Sequence, residues 1–326
     1  MHVTSNSKLA LDDSPRIQPR TSYQHSELMN ALLDPICVSC SGSNSKIFFR
    51  DQNRTIRRCD ACGLLFVFPQ PNQVTLHSQF QSEYFTRGQS GVPIRLKLNF
   101  EEWRKPTLTR IAQRIHTLKP AGRLLDVGCA SGEIFEHFRS GEWDLYGVEP
   151  SAVAFARAHQ RFGADPRIHL FNGYLRAASF EEKSFDVITV LDSLYYMPDP
   201  RRELSYLARI LKDDGVLAIG VPGYNYQRLR HIGPISSLTH GSRCSLTSSH
   251  LFYFSDNTMA KLLQSQGLRI FDLVQLGSSL YGSRAGRFAR NVYVTLSGAL
   301  SAMTFGRINL APHVLYLCQK SDAVRA

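Results

Sequence analysis

Leu124-Leu-Asp-Val-Gly-Cys-Ala-Ser-Gly132 decides how this chain is read. A short apolar strand runs into a turn of small residues, and a helix-compatible stretch over 132–140 begins at once. Small residues let the main chain approach a ligand at the strand's carboxyl end, where open α/β sheets bind ligands. Around this segment, strand candidates at 124–127, 145–148, 168–171, 185–191 and 216–221 alternate with helix candidates at 132–140, 152–161 and 201–212. Alternation of this kind predicts an α/β fold, a doubly wound sheet with helices on both faces. Downstream, Ser255 reads as the N-cap of a helix ending at Gly267, and 269–276 and 313–319 read as two last strands. The stretch 222–254 reads as irregular.

Glu149 ends the second strand candidate, 21 residues after Gly128. A carboxylate there can accept both hydroxyls of a ribose. The dinucleotide fingerprint G-x-G-x-x-G fails twice, at Ala130 and at Glu133. Glu133 also sits where a pyrophosphate would dock, and a carboxylate beside a pyrophosphate is repelled. The ligand these residues suit is a nucleoside without phosphate. S-adenosylmethionine fits: it carries a sulfonium and an ammonium, which an acidic rim tolerates and Asp126 can serve.

Asp126-Val-Gly-Cys-Ala-Ser-Gly132 resembles the first motif of class I methyltransferases, D-x-G-x-G-x-G, with Ala130 in place of the middle glycine. The resemblance continues through Tyr146-Gly-Val-Glu-Pro150, Ser184-Phe-Asp-Val-Ile188, Leu191-Asp-Ser-Leu-Tyr-Tyr-Met-Pro-Asp-Pro200 and Leu211-Lys-Asp-Asp-Gly-Val-Leu217. It implies a seven-stranded Rossmann-like methyltransferase sheet with a terminal antiparallel hairpin. By position it implies that Asp126, Gly128, Cys129, Ala130 and Gly132 line the methionine and ribose. Glu149 would hold the ribose and Pro150 flank it. Tyr174 and Leu175 would meet the adenine, and Leu191 would flank the cofactor. Relatives often carry Asp where Tyr174 stands and Glu-His where Tyr195-Tyr196 stand.

Cys37-Val-Ser-Cys40 and Cys59-Asp-Ala-Cys62 form two C-x2-C pairs separated by 18 residues. Thiolates at this spacing converge on one tetrahedral ion, so Cys37, Cys40, Cys59 and Cys62 predict a Zn2+ ribbon, with rubredoxin-like iron as the rival. Four thiolates close the coordination sphere, which makes the site structural. Residues 47–49 and 64–68 are expected to pair as its strands. A four-cysteine ribbon ahead of a methyltransferase core is similar to a bacterial family associated with sugar and cell-surface glycan modification.

A hydroxyl or carbon acceptor needs a base. His250 is the first candidate, because an imidazole titrates in the right range; its other reading is a cap-positioning residue. Tyr195 and Tyr196 follow the fourth strand, where an acceptor would stack, and are otherwise core aromatics. Net charge is +11, and no Asp or Glu occurs over 223–255 or 273–320. A basic surface favours an anionic acceptor, such as a nucleotide- or lipid-linked sugar. RNA is the weaker alternative partner, and a non-catalytic binding module the third reading. The insertion over 278–309 is basic and apolar, suited to a packed cap or to peripheral contact with a membrane surface. No run reaches the ~20 apolar residues of a membrane span and no secretory signal is visible, so a cytoplasmic location is expected. The expected organisation is a polar tail at 1–30, a zinc-ribbon module at 31–75 and the methyltransferase domain at 76–326. Within that domain fall helices at 76–120, the cofactor core at 121–222, a substrate cap at 223–255 and final strands with a helical insertion at 256–326.

Overall fold

The computed structural model describes residues 35–51, 54–71, 73–78, 100–240, 244, 246, 250–277, 284–304 and 308–321. The expected tail at 1–30 and part of the helical segment at 76–120 lie outside them.

β1 (Ser45–Arg50) and β2 (Thr55–Cys59) form an antiparallel hairpin. Asp51 closes it: its carboxylate accepts from the Arg54 main-chain N–H at 2.9 Å. β3 (Leu65–Val67) pairs with the other edge of β2. The expected direct pairing of 47–49 with 64–68 is therefore corrected, since β2 lies between them. Its Thr-Ile-Arg-Arg-Cys sequence hides a strand, because only Ile56 and Cys59 face inward. A short helix α1 (Gln73–Ser78) follows. Helix α2 (Phe100–Leu118) then buries Leu108, Ile111, Ala112 and Ile115, one stripe at helical spacing.

The main sheet holds β4 (Gly122–Val127), β5 (Trp143–Glu149), β6 (Ile168–Asn172), β7 (Phe185–Leu191) and β8 (Leu211–Pro222), all parallel. β9 (Phe252–Tyr253) instead joins the first sheet beside β3. β10 (Leu268–Leu276) and β11 (His313–Lys320) close the main sheet as an antiparallel hairpin. The order β10-β11-β8-β7-β4-β5-β6 is that of a Rossmann-like methyltransferase sheet. Strand order reverses at β4, so the crevice beyond its carboxyl end is the ligand position.

Helix α3 (Ala152–Phe162) starts at Ser151, whose hydroxyl accepts from Ala154 N, and buries Ala154, Ala158 and Phe162. Helix α4 (Pro200–Ile210) starts at an Asp199 cap with proline in its first turn. The 222–254 stretch, expected to be irregular, contains α5 (Tyr224–His231) and α6 (Pro234–His240). No apolar stripe announced α5, because Gln227 is its buried residue. Helix α7 (Asp256–Gln264) begins with a Ser255–Thr258 capping box, as Ser255 predicted, and the chain leaves through Gly267 at φ +69°. Helix α8 (Arg284–Met303) lies between β10 and β11 in sequence. The helix expected over 132–140 is only a 3-10 turn, Glu133–His137. Ile134, Phe135 and Phe138 all turn inward there, and Phe138 packs edge-on against Trp143 at 5.2 Å between ring centroids.

One core cluster runs from Cys37, Cys59, Leu64 and Phe66 to Leu125, Ile188, Leu194, Leu251 and Phe254. The cysteine segment thus packs on the larger sheet instead of standing apart. Among the described residues no helix is long and apolar enough to cross a membrane.

Candidate active site

The turn after β4 is built from left-handed backbone: Gly128 at φ +76°, Ala130 at +49° and Gly132 at +77°. Glycine is required at its two ends by crowding. A Cβ on Gly128 would lie 2.8 Å from Ser193 Cβ, and one on Gly132 would lie 2.8 Å from the Phe162 ring. Ala130 holds the same hand with a side chain, at a cost of about 1–2 kcal/mol. The main-chain N–H groups of Gly128 and Cys129 donate to Val148 O at 2.8 and 3.2 Å, tying the turn to β5. The Cys129 thiol is buried on the core side, close to Gly147, so Cys129 offers the crevice its main chain.

Glu149, at the end of β5, is buried and braces this turn. One carboxylate oxygen accepts from Ala130 N at 2.9 Å and the other from Ser151 N at 2.8 Å. Burial raises its pKa against those two bonds. Each oxygen keeps a further lone pair for a diol. Asp126 is buried and accepts from Thr189 Oγ1 at 2.6 Å. Burial, assisted by Glu133 and Glu149, pushes its carboxyl up to about 7. Three carboxylates thus ring the turn, an environment that disfavours phosphate, with the Arg104 charge on α2 partly offsetting them at Asp126. Pro150 is half-buried beside Glu149, Leu175 and Leu191 are buried, and Tyr174 is 53% exposed at the head of a 3-10 turn over Leu175–Ala178.

Past β7 the chain turns at Asp192, φ +60°. Its carboxylate accepts from His313 Nε2 at 2.7 Å, from Arg104 at 3.2 Å and from the Tyr195 hydroxyl at 3.2 Å. Sequence reading missed Arg104, Asp192 and His313. The available signal was topological: a residue that opens an antiparallel last strand lies at the same sheet edge as the ends of the parallel strands. Tyr195, Tyr196 and His250 do come together. His250 is buried with its ring 4.3 Å from that of Tyr195 and 5.3 Å from that of Tyr196. Burial lowers its pKa to about 4.

The four cysteine sulfurs lie within 4.8 Å of one another, with Cys37–Cys62 and Cys40–Cys59 at 3.6 Å. Sulfurs placed tetrahedrally at 2.3 Å from a zinc ion would be about 3.8 Å apart, so this donor set fits such an ion. Ser41 (φ +60°) and Gly63 (φ +79°) supply the left-handed residue of each knuckle. The knuckles connect to the crevice. Val67 N, in β3, donates to Leu251 O at 2.8 Å, and Leu251 N donates to Tyr195 O at 3.0 Å. Arg201 of α4 donates to Val38 O and to Ser41 Oγ.

A seven-stranded sheet in this order, with a glycine turn and an acidic residue ending the next strand, defines a class I methyltransferase fold. The chain belongs to that family: a family model described as a methyltransferase domain matches residues 100–273. The 27-O-demethylrifamycin SV methyltransferase of Amycolatopsis mediterranei (strain S699) is 34% identical over 119 residues, 34% of this chain and 44% of that protein. A ubiquinone biosynthesis O-methyltransferase of Bradyrhizobium sp. (strain ORS 278) is 28% identical over 111 residues, 32% of this chain and 42% of that one. The chain thus spans less than half the length of these two curated relatives. Among solved structures, the Burkholderia thailandensis 1,6-didemethyltoxoflavin-N1-methyltransferase, with 1,6-didemethyltoxoflavin and S-adenosylhomocysteine bound, shares the fold at a TM-score of 0.50 and 17% identity, covering 85% of this chain and 100% of that one.

Proposed function

We propose that this chain transfers a methyl group from S-adenosylmethionine to a small-molecule acceptor at the carboxyl ends of β4 and β7. The observation that carries this reading is the left-handed turn of small residues ringed by Asp126, Glu133 and Glu149. When bound, S-adenosylmethionine supplies a methyl group already activated by a positive sulfur. The protein's task is then to align the acceptor and exclude water. Gly128, Ala130 and Gly132 give the cofactor main-chain approach, Glu149 holds the ribose diol, and Asp126 faces the ammonium end. Tyr174 and Leu175 border the base, Pro150 flanks the ribose, and Leu191 flanks the cofactor from β7. Tyr195, Tyr196 and His250 wall the acceptor space. The printed functions of the two curated relatives support a small-molecule acceptor over RNA, and the acid-free stretches suit an acceptor that carries an anionic group. The test is incubation of the chain with labelled S-adenosylmethionine and a fractionated cell extract. Label in a small organic molecule supports the reading, and label in RNA alone refutes it.

Asp126 makes cofactor binding pH-dependent. Its folded pKa is raised, so the stability contributed by its neutral form is complete below about 4 and lost as pH rises through about 7. Binding an ammonium needs the ionised form, so affinity moves the other way. Affinity for S-adenosylhomocysteine should rise about tenfold from pH 6 to pH 8, and Asp126→Asn should flatten that slope in calorimetric titrations.

We further propose that the cysteine cluster binds Zn2+ as a structural ribbon within 31–75, and that α8 rests on an anionic membrane surface. Helix α8 is inverted: Ser297 and Ser301 are buried while Phe288, Val292, Leu296 and Met303 are exposed. The buried Ser297 hydroxyl has no partner among the described residues. The helix lies in an acid-free stretch that carries Arg284, Arg287 and Arg290 in its own first turns. An outward apolar face with basic flanks suits anionic lipid. The chain should co-sediment with phosphatidylglycerol vesicles and not with phosphatidylcholine vesicles, and Leu296→Glu should weaken this about tenfold. Equal binding to both vesicles, or no effect of the substitution, counts against the membrane reading.

A further inference from the structure

The cluster at Asp192 extends the methyl-transfer reading, on which it rests, to the chemistry of the acceptor. Asp192 occupies left-handed backbone, a region that aspartate reaches more readily than most non-glycine residues, within surroundings that fix its carboxylate. Those surroundings are its three donors: His313 Nε2 at 2.7 Å, Arg104 at 3.2 Å and Tyr195 at 3.2 Å. Burial works against ionisation of this carboxyl, yet His313 and Arg104 outweigh it and hold Asp192 below the usual carboxylate range. An ionised carboxylate at Nε2 selects the tautomer with its proton on Nε2, which leaves a lone pair on Nδ1. His313 Nδ1 is buried and has no hydrogen-bond partner among the described residues. A buried polar atom left unpaired costs about 1–3 kcal/mol, and a ligand O–H would satisfy it.

The location fits the same role. His313 opens β11 in register with Pro222, and its ring lies over Gly220, where a Cβ would sit 3.0 Å from Cε1. Ser193, the residue after Asp192, packs on Gly128 of the cofactor turn. The imidazole and the cofactor turn are therefore linked through two adjacent residues. The titratable groups around the ring are Asp192 beyond β7, Arg104 on α2 and the Tyr195 hydroxyl, with His250 behind Tyr195. His250, held to about 4 by burial, is a poor proton acceptor near neutral pH.

We infer that His313, positioned by Asp192, takes the proton of a phenolic or comparably acidic hydroxyl as that oxygen is methylated. The acceptor's O–H bond breaks and its proton passes to Nδ1. An oxygen lone pair forms the new O–C bond while the carbon–sulfur bond breaks with its electrons left on sulfur. The proton then leaves to solvent and the imidazole is neutral again. An arylamine brings a free lone pair and needs no base before transfer; a phenol, with pKa about 10, is within reach of an imidazole in a way an alkanol is not.

The test uses the whole chain saturated with S-adenosylhomocysteine and 4-nitrophenol as probe. In 15N spectra His313 carries its proton on Nε2, and bound 4-nitrophenol shows phenolate absorbance at a pH where the free phenol is neutral. His313→Gln and Asp192→Asn both abolish that absorbance while binding S-adenosylhomocysteine within about twofold of the parent. A proton on Nδ1, a neutral-phenol spectrum, or a phenolate band that survives in His313→Gln overturns the assignment. If the parent chain binds no S-adenosylhomocysteine, the cofactor reading fails and the His313 assignment falls with it; if it binds yet leaves the probe neutral, the His313 assignment alone fails.

Discussion

Glu149→Ala lowers affinity for S-adenosylhomocysteine by roughly 100-fold, about 3 kcal/mol, the largest loss expected from one side chain in the crevice. Two effects add. The substitution removes the carboxylate placed to accept a ribose diol. It also leaves Ala130 N and Ser151 N without the acceptor that each now uses. Ala130 stands in left-handed backbone, and its bond to Glu149 helps to hold it there. Loss of that brace lets the turn relax away from the shape a nucleoside needs. Unpaired buried N–H groups also cost folding stability, about 1–3 kcal/mol each before relaxation. Glu149→Gln keeps one carbonyl acceptor and the side-chain shape, so its loss of affinity falls between parent and alanine. Calorimetric titration of the three chains checks the series. Alanine binding within about twofold of the parent would remove Glu149 from the site.

With the four cysteines holding zinc as proposed, Cys37→Ser is expected to release the ion and lower stability by at least about 3 kcal/mol, several degrees in melting temperature for a chain this long. The cost spreads because the knuckles are not peripheral. Cys37 and Cys59 share a core cluster with Leu64, Phe66, Leu251 and Phe254. β3 pairs with β9, and Leu251 joins β3 to the Tyr195 turn. Loss of the ion therefore loosens the segment that carries His250 as well as the knuckles. Metal analysis together with thermal unfolding gives the answer. A Cys37→Ser chain that keeps both its metal content and its melting temperature refutes the ribbon.

The turn of small residues after β4 was legible in the sequence because its requirements are local. Three small residues in left-handed backbone and a carboxylate one strand away fall within 22 consecutive residues, and the crowding at Gly128 and Gly132 allows little else. The Ser255 cap was legible for the same reason, whereas the antiparallel pairing of the two last strands came from the resemblance, since 36 residues separate them. β2 was not, because Arg57 and Arg58 mask it and its two buried residues, Ile56 and Cys59, are three apart and show no period-2 alternation. Helix α5 was not, because it packs without an apolar stripe. The Asp192–His313 contact joins residues 121 positions apart, and neither residue alone announces the other. His250 stood out because an imidazole titrates in the right range, yet its surroundings are three tyrosine rings.

The most direct test is a paired titration of the purified chain with S-adenosylhomocysteine and with a nicotinamide dinucleotide. An acidic, phosphate-repelling turn predicts one saturable site for the first ligand and no measurable heat from the second. Preference for the dinucleotide, or silence with both ligands, would contradict the reading of that turn and everything built on it.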